Sequence, residues 1–199
     1  NPHFIFNALN SIQEMFLLGD KELANEHLGK FSVLTRQILE LSDKKFIALS
    51  DEIDMLDKYL SIEKIRFEEN FDFTINVSDN LDVHNINIPP MLLQPFVENA
   101  IKHGVFHSKK HKFIEITFNS TPHFVECIII DNGVGRSFSN NLNKQNKSKP
   151  SSFSSLSIQK RIDLINKYNS DKISVEISDA FPNQTNCGTK VKILFPNNF

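Results

Sequence analysis

The stretch FVECIIIDNGVG, residues 124–135, predicts a buried β-strand that ends in a carboxylate and continues into a glycine turn. Its apolar residues form a nearly continuous run of strand length. Asp131 ends the run, and a buried carboxylate facing a pocket can accept a hydrogen bond from a ligand amino group. Gly133 and Gly135 can take positive φ and let the backbone approach a ligand closely. An ordinary turn after a strand is the alternative interpretation, and this stretch taken alone favours it.

The chain on either side of this stretch contains both strand and helix patterns. Four more segments have the alternation or the composition of strands: FDFTINV (71–77), KFIEITFN (112–119), KISVEIS (172–178) and TKVKILF (189–195). Apolar residues recur at helical spacing in MLLQPFVENAIKHG (91–104) and LSIQKRIDLINKYN (156–169). Five strands with two helices predict an α/β sandwich, in which a mixed sheet is covered by helices on one face.

The first part of the chain has only the helical period. Apolar residues repeat every three or four positions over 4–18 and 24–44, and the break at Gly19 and Asp20 predicts a helical hairpin. A third helix is expected to begin at Ser50, whose side chain can cap the free amides. Each hairpin helix presents an apolar stripe that a single hairpin cannot fully cover. Two hairpins paired in a four-helix bundle would bury both stripes, so we predict a homodimer.

The change of period near residue 69 divides the chain. We predict an α+β fold, with a helical dimerisation region and its linker helix over 1–69 and an α/β domain over 70–199. The Ser-, Asn- and Lys-rich segment at about 136–155 is unusually long for a loop in a compact domain. Loops of this length are commonly lids or binding loops.

The composition excludes some classes of protein. The 199 residues are 40% hydrophobic and 23% charged, as in ordinary globular proteins. The net charge of −2 provides no basic face for nucleic acid, so we expect no direct nucleic-acid binding. Cys127 and Cys187 have no disulfide-like or CxxC spacing, which favours a reducing compartment. No apolar run reaches the ~18 residues of a spanning helix. The first residue is not methionine, which indicates a fragment or a processed product and leaves an upstream membrane part open.

Polar residues in the helix QPFVENAIKHG can form a binding face. Asn99 and Lys102 are three positions apart, so an amide oxygen and an ammonium can converge on a metal-phosphate group. Glu98 lies beside apolar neighbours in the same helix. Gly188 and Thr189 enter the last strand, where a hydroxyl can reach a ligand. The alternatives are a solvated helix face and a plain turn before an edge strand.

Histidines recur every four residues at His103, His107 and His111, as in a helical metal stripe. Gly104 and the lysines that follow favour a helix end instead. The other histidines outside the opening motif are expected on surfaces or in loops, and they are His27, His84 and His123.

The order of these motifs resembles the sensor histidine kinases of the LytS/YehU type, whose ATP domain has the GHKL fold. ENAIKHG precedes DNGVG, a polar lid, RIDLIN and a GT pair before the final strand. The opening NPHFIFNALNSI is similar to the phosphoacceptor motif of that family, and LSDEIDMLDKYLSIEKIRF is similar to its linker segment. The resemblance spans nearly the whole chain.

The resemblance implies a role for five residues in phosphoryl transfer. His3 would be the phosphorylated histidine. Asn99 would hold magnesium, Lys102 would contact the phosphates, and Glu98 would lie by the γ-phosphate as a base or polarising group. Asn7, one turn after His3, matches the family position that orients a water for dephosphorylating the partner.

The same resemblance implies that ATP and magnesium are the cofactors. Asp131 would accept a hydrogen bond from the adenine amino group, Gly133 and Gly135 would form the hinge of the nucleotide pocket, and Thr189 would support the adenine side. The chain contains no GxxxxGK[ST] sequence, so a P-loop route to ATP is excluded. Phosphoryl transfer mostly requires positioning and charge neutralisation, which these groups can provide in outline.

Two positions depart from related kinases. Serines stand at 154, 155 and 157, where the family usually has a lid glycine, and their smaller backbone freedom predicts slower nucleotide closure. Phe4 follows the acceptor histidine, where many histidine kinases have an acidic residue. Glu98 or water would then take the proton.

Three functions are compatible with this sequence. The first is an ATP-dependent autokinase that passes its His3 phosphate to an aspartate of a response regulator. The resemblance implies that this regulator has a LytTR-type DNA-binding output. The second is a degenerate kinase that acts as a dimeric signalling scaffold, and the third is an ATPase that does not phosphorylate itself. The opening motif favours the first. The family further implies that the chain is the cytoplasmic portion of a bacterial inner-membrane protein.

Overall fold

The computed structural model describes residues 2–67, 70–107, 111–135, 153–168, 170–184 and 187–197. Its first two elements are the helices α1 (Pro2–Leu18) and α2 (Lys21–Ser42), which pack against each other. Gly19 between them has a φ of 94°, a left-handed conformation that ends α1. The amides of Gly19 and Asp20 donate to carbonyl oxygens in the last turns of α1. The predicted helical hairpin is confirmed.

The third helix, α3 (Leu49–Arg66), begins differently from the prediction. It follows a short strand, β1 (Ile47–Ala48), and its N-cap residue is Ala48, which makes no side-chain cap hydrogen bond. The amide of Leu49 donates to the carbonyl of Ile86 at 2.8 Å, and that of Ser50 donates to Val83 at 3.0 Å. The predicted cap at Ser50 is therefore wrong, because the helix begins at Leu49 and Ser50 already lies within its first turn.

The main sheet has five strands in the order β2, β4, β5, β7, β6. The strands are β2 (Phe71–Val77), β4 (Lys112–Ser120), β5 (Phe124–Asp131), β6 (Ser174–Ser178) and β7 (Thr189–Pro196). β2 and β4 are parallel and the other pairs are antiparallel, which confirms the predicted mixed sheet. A second, two-stranded sheet pairs β1 with β3 (Asn87–Ile88), and the sequence pattern does not predict it.

Two more helical segments lie in the described part of the chain. The first is α4 (Gln94–Asn99), which continues as a π-helical turn (Ala100–Gly104) and a 3₁₀ turn (Val105–His107). It begins later than the predicted residue 91, because Met91 has a φ of 53° and cannot belong to a helix. The second is α5 (Phe153–Tyr168). Residues 136–152 of the predicted lid lie outside the described residues, and 153–155 form the first turn of α5.

One hydrophobic core joins the helices to the sheet. The sheet contributes alternate side chains, including Ile116 of β4 and Ile193 of β7, both fully buried. Leu56 and Leu60 of α3 and Val97 of α4 belong to the same core. Because α3 packs against both α4 and β2, the helix that follows the hairpin is in direct contact with the α/β part of the chain.

Among the described residues, no helix combines the length and the apolar character that crossing a bilayer requires.

Candidate functional site

Asp131 is the last residue of β5, where it pairs in register with Ile114 of β4 and Thr189 of β7. Its side chain is only 2% exposed. Oδ1 accepts a hydrogen bond from the backbone N–H of Gly133 at 2.9 Å. Burial raises the pKa of Asp131 to about 6, and hydrogen bonds from Gly133 and from the side chain and backbone of Thr189 lower it part of the way back. The site therefore holds a buried carboxylate that is mainly ionised at neutral pH.

Glycines surround this carboxylate because the backbone segments approach too closely for side chains. A Cβ atom at Gly104 would lie 2.6 Å from Oδ1 of Asp131, and one at Gly133 would lie 2.1 Å from the carbonyl carbon of Gly104. The amide of Val134 donates to the carbonyl of Gly104 at 3.3 Å. The end of the α4 segment is therefore fixed against the end of β5.

The glycines that follow β5 and precede β7 are needed for different reasons. Gly135 has a φ of 78°, as expected, and Gly188 has a φ of 56°. Gly133 has no positive φ, so the predicted reason for a glycine there is wrong. Its real requirement is the close approach of Gly104.

The polar residues of α4 lie on the segment that Gly104 ends. Glu98 and Asn99 are half-buried, and Lys102, one turn on, is exposed. Oε1 of Glu98 accepts a hydrogen bond from Nε2 of Gln94 at 3.0 Å. Asn99 supplies an amide oxygen, a hard ligand suited to Mg²⁺, and Lys102 supplies a cation suited to phosphate. The described residues thus combine an anionic acceptor at a strand end with oxygen and ammonium groups on the adjoining helix.

Charged residues of α3 lie beside this helix. Glu63 is 3% exposed, and its Oε2 lies 2.8 Å from Nη1 of Arg66. Burial raises the pKa of Glu63, the charge of Arg66 and a hydrogen bond with Tyr59 lower it, and the charge of Glu98 raises it. The charge of Glu63 on α3 and that of Glu98 on α4 therefore lie close enough to repel each other.

His3 and Asn7 both lie in α1, but their side chains are outside the described residues. Within the described part of the chain, no group of three or more His, Cys, Asp or Glu side chains can hold a metal ion. The side chains of His103 and His107 are not described, whereas Nε2 of His111 pairs with Oδ2 of Asp72 at 2.9 Å.

Comparison with known proteins identifies the family. Residues 1–71 match the family model for histidine kinases. The sensor protein LytS of Oceanobacillus iheyensis is 35% identical over 135 residues, which cover 68% of this chain and 23% of that protein. The sensor histidine kinase/phosphatase LytS of Staphylococcus aureus strain MRSA252 is 36% identical over 136 residues, with the same coverage. The chain belongs to the LytS-type sensor histidine kinases.

A solved structure supports the fold of this LytS-type chain. The histidine kinase AdeS of Acinetobacter baumannii aligns with a TM-score of 0.51 at 12% identity, and the alignment covers 98% of this chain and 96% of that one. The predicted α+β fold, in which helices accompany a mixed sheet, is confirmed. The alignment with LytS spans 23% of the length of those curated relatives, so most of their length has no counterpart here.

Sequence reasoning missed three residues of this LytS-type site. Gly104 was taken only as a helix end, although it contacts Asp131, and Gly188 was taken only as part of a turn, although its Cβ would lie 2.1 Å from the carbonyl oxygen of Asp131. Glu52 was not considered, although it is fully buried and bonds to the start of α4. Gly104 ends the motif ENAIKHG and Gly188 opens the GT pair, which was the available signal. A buried glutamate in a helix gave no such signal.

One histidine of this LytS-type hairpin also differs from expectation. His27 was expected on the surface, but it is 5% exposed. It lies three residues after Ala24 and four before Phe31, both of which are buried, so the helical period places all three on one face. His84 and His123 are exposed, as expected.

Proposed function

We propose that this chain is the kinase portion of a two-component sensor, which uses ATP to phosphorylate His3 and then passes the phosphoryl group to an aspartate of a response regulator. The observation that carries this proposal is the contact of Asp131 with Gly104. Through it, a buried acceptor adjoins the segment that bears Glu98, Asn99 and Lys102.

The residues present suit a magnesium nucleotide. Asp131 would accept a hydrogen bond from the adenine amino group, while Gly133 and Thr189 hold its carboxylate in place. Asn99 would hold magnesium through its amide oxygen, and Lys102 would contact the phosphates. Bound magnesium neutralises phosphate charge, which is the main electrostatic requirement of phosphoryl transfer. Gly135 and Gly188 supply the close turn beside the acceptor.

His3 would act as the nucleophile. An imidazole with an ordinary pKa of about 6.5 has an unprotonated ring nitrogen at neutral pH. That nitrogen would form the bond to the γ-phosphorus as the bond between this phosphorus and the leaving oxygen of ADP breaks. The proton on the other ring nitrogen would pass to Glu98 or to water. In the second step the phosphoryl group would move from His3 to the carboxylate of the regulator, restoring the free imidazole.

A homodimer would complete the helical region. Apolar side chains remain exposed along α1 and α2, and they are Leu9, Phe16, Leu17, Leu18, Leu23, Leu28, Val33 and Leu39. Surfaces of this kind mark association sites in soluble proteins. Pairing with a second copy in a four-helix bundle would bury those that lie on the facing side.

The family suggests further assignments that we also propose. The name of the Staphylococcus aureus relative includes a phosphatase activity, and Asn7 is our candidate for orienting the water in such a step. We assign the chain to the cytoplasmic side of a bacterial inner membrane, joined to it by an upstream region, and to a regulator with a LytTR-type DNA-binding output. No observation on the described residues favours the degenerate scaffold or the ATPase that does not phosphorylate itself.

Transfer to a receiver domain tests this function. The chain is labelled with γ-labelled ATP and magnesium, freed of nucleotide, and mixed with an isolated receiver domain. We expect the label to move to the receiver, and to be lost when the aspartate of the receiver is changed to asparagine. Nucleotide binding without any label on the chain would contradict the kinase and favour the scaffold. ATP turnover without label would favour the simple ATPase.

A further inference from the structure

A loop of unusual conformation precedes α4. Met91 has a φ of 53°, which is rare for a residue with a side chain. Such conformations persist where the surrounding structure holds them, and they cluster at functional sites. Pro89 and Pro90, immediately before it, are both buried. The loop leads directly into the helix that carries Glu98 and Asn99.

Glu52 of α3 holds the amide side of this loop. The carboxylate is 0% exposed. Oε2 accepts a hydrogen bond from the amide of Met91 at 2.7 Å, and Oε1 accepts from Leu93 at 2.9 Å and from Gln94 at 3.3 Å. Burial raises the pKa of Glu52, and these three hydrogen bonds together with the charge of Arg161 lower it. One side chain of α3 therefore satisfies the free amides at the start of α4, as a cap from its own helix would.

Arg161 of α5 holds the carbonyl side of the same loop. Its Nη1 donates to the carbonyl oxygen of Met91 at 2.8 Å, and its Nη2 donates to the carbonyl oxygen of Pro90. The planar guanidinium can reach two neighbouring carbonyls at once, which an ammonium cannot do with the same geometry. The amide and the carbonyl of Met91 are thus bound by two different helices.

We propose that Glu52 and Arg161 are positioning residues for phosphoryl transfer, because together they fix the Pro90–Met91 peptide and with it the helix that bears Glu98 and Asn99. Three helices meet in this contact. α3 follows the hairpin that carries His3, and α5 follows the predicted lid. The contact therefore links the hairpin side of the chain to the nucleotide side. This inference rests on the proposed kinase function.

The Glu52→Gln and Arg161→Gln variants test the proposal. Glutamine has nearly the shape of glutamate, but its Nε2 would face an amide donor, so one side of the loop loses its acceptor. We expect the initial rate of His3 labelling at saturating ATP to fall about tenfold or more in both, since small misplacements of catalytic groups are costly. Arg161→Lys should recover only part of the rate.

The matched controls are Asp57→Asn on an exposed position of α3 and Lys160→Gln on an exposed position of α5, and both should label like the parent chain.

Hydrogen exchange separates positioning from general instability. In nucleotide-free protein well below its melting temperature, Glu52→Gln should speed exchange at the amides of Leu93 and Gln94 and leave the sheet amides protected. Full labelling rates in the folded variants would overturn the proposal, as would exchange that rises uniformly over the chain. If Glu52→Gln does not fold, the labelling rate and the hydrogen exchange of Arg161→Lys and Arg161→Gln are compared instead. These two measurements then test the proposal in the same way.

Failure of the kinase function has a different signature. The parent chain would then carry no label, yet the two variants would still be compared by exchange and by their affinity for a fluorescent ATP analogue. Weaker analogue binding in both variants together with faster loop exchange would support the positioning role of Glu52 and Arg161 without the kinase function. Unchanged binding and unchanged exchange would overturn the positioning role, whether or not the chain is a kinase.

Discussion

The carboxyl group of Asp131 lies directly against the Cα atom of Gly104, so that a Cβ atom at position 104 would come within 2.6 Å of Oδ1. This contact joins the end of β5 to the end of the helical segment that carries Asn99 and Lys102. It explains why ENAIKHG ends in glycine, since a side chain at position 104 would collide with the carboxylate of Asp131.

Gly104→Ala should weaken nucleotide binding about tenfold or more, because the added methyl group must displace the Asp131 carboxylate from the position in which it would face the adenine. Titration with a fluorescent ATP analogue measures the change. Gly29→Ala is the control, since a Cβ there meets no atom within 4 Å and the position is in the middle of α2. That control should leave binding unchanged and stabilise the helix by about 0.5–1 kcal/mol. Unchanged affinity in Gly104→Ala would show that the contact does not shape the site.

Asp131→Asn should stabilise the protein at neutral pH while it weakens nucleotide binding. The pKa of Asp131 is raised to about 6 from 3.8. The folded state therefore binds the proton more tightly than the unfolded state. The stability that this group contributes is present below pH 3.8 and is lost as the pH rises through 6. A difference of about two pKa units corresponds to about 3 kcal/mol.

Denaturant unfolding of the parent chain and Asp131→Asn at pH 7 and pH 4 measures this effect. The variant should be more stable at pH 7, and the advantage should largely disappear at pH 4. An equal difference in stability at pH 7 and pH 4 would mean that burial of the ionised carboxylate does not destabilise the folded protein.

His27→Leu should make the hairpin less sensitive to acid. Burial lowers the pKa of His27, the charge of Lys30 lowers it further, and Glu26 raises it. A histidine with a lowered folded-state pKa contributes stability above about pH 6.5, and this contribution is lost as the pH falls below that value. Its buried Nε2 has no hydrogen-bond partner among the described residues, so leucine also removes an unsatisfied polar atom.

Thermal unfolding at pH 7.5 and pH 5 checks this prediction. The gain in melting temperature of His27→Leu should be larger at pH 5. His84→Gln, at an exposed position, is the control for the removal of one histidine. A gain for His27→Leu that does not grow on acidification would contradict the buried neutral imidazole.

Leu28→Glu combined with Leu39→Glu should convert the proposed homodimer to monomer. The two residues are three helical turns apart on α2 and are 40% and 63% exposed. New carboxylates on this face would remain unpaired when two copies meet. Sedimentation at micromolar concentration measures the mass. Glu40→Lys, at a neighbouring exposed position, should stay dimeric. A monomeric parent chain would count against the dimer itself.

The sequence predicted what depends on local periodicity and missed what depends on distant contacts. The five strands and the hairpin follow from regular apolar spacing, and Asp131 and Gly135 follow from a strand that ends in a turn. β1 and β3 have two residues each, too few for any period to be visible. The start of α4 depends on Glu52, whose carboxylate binds amides 39 to 42 residues away. Such a pairing leaves no local pattern to detect.

The phosphatase role that we propose for Asn7 has its own test. Asn7→Ala should still accept phosphate on His3 but should dephosphorylate the regulator more slowly, because the water is no longer oriented. Decay of the label on a phosphorylated receiver domain measures this rate, and Asn10→Ala, exposed on the same helix, is the control. Equal decay with both variants would remove Asn7 from this role.

Autophosphorylation of His3 tests the central claim most directly. The chain, on its own and as part of a longer protein, is incubated with γ-labelled ATP and magnesium, and the label is followed in acid and in base. The account predicts a label that is labile in acid and stable in base, absent from His3→Gln and from Asn99→Ala. A label that persists in His3→Gln would contradict it.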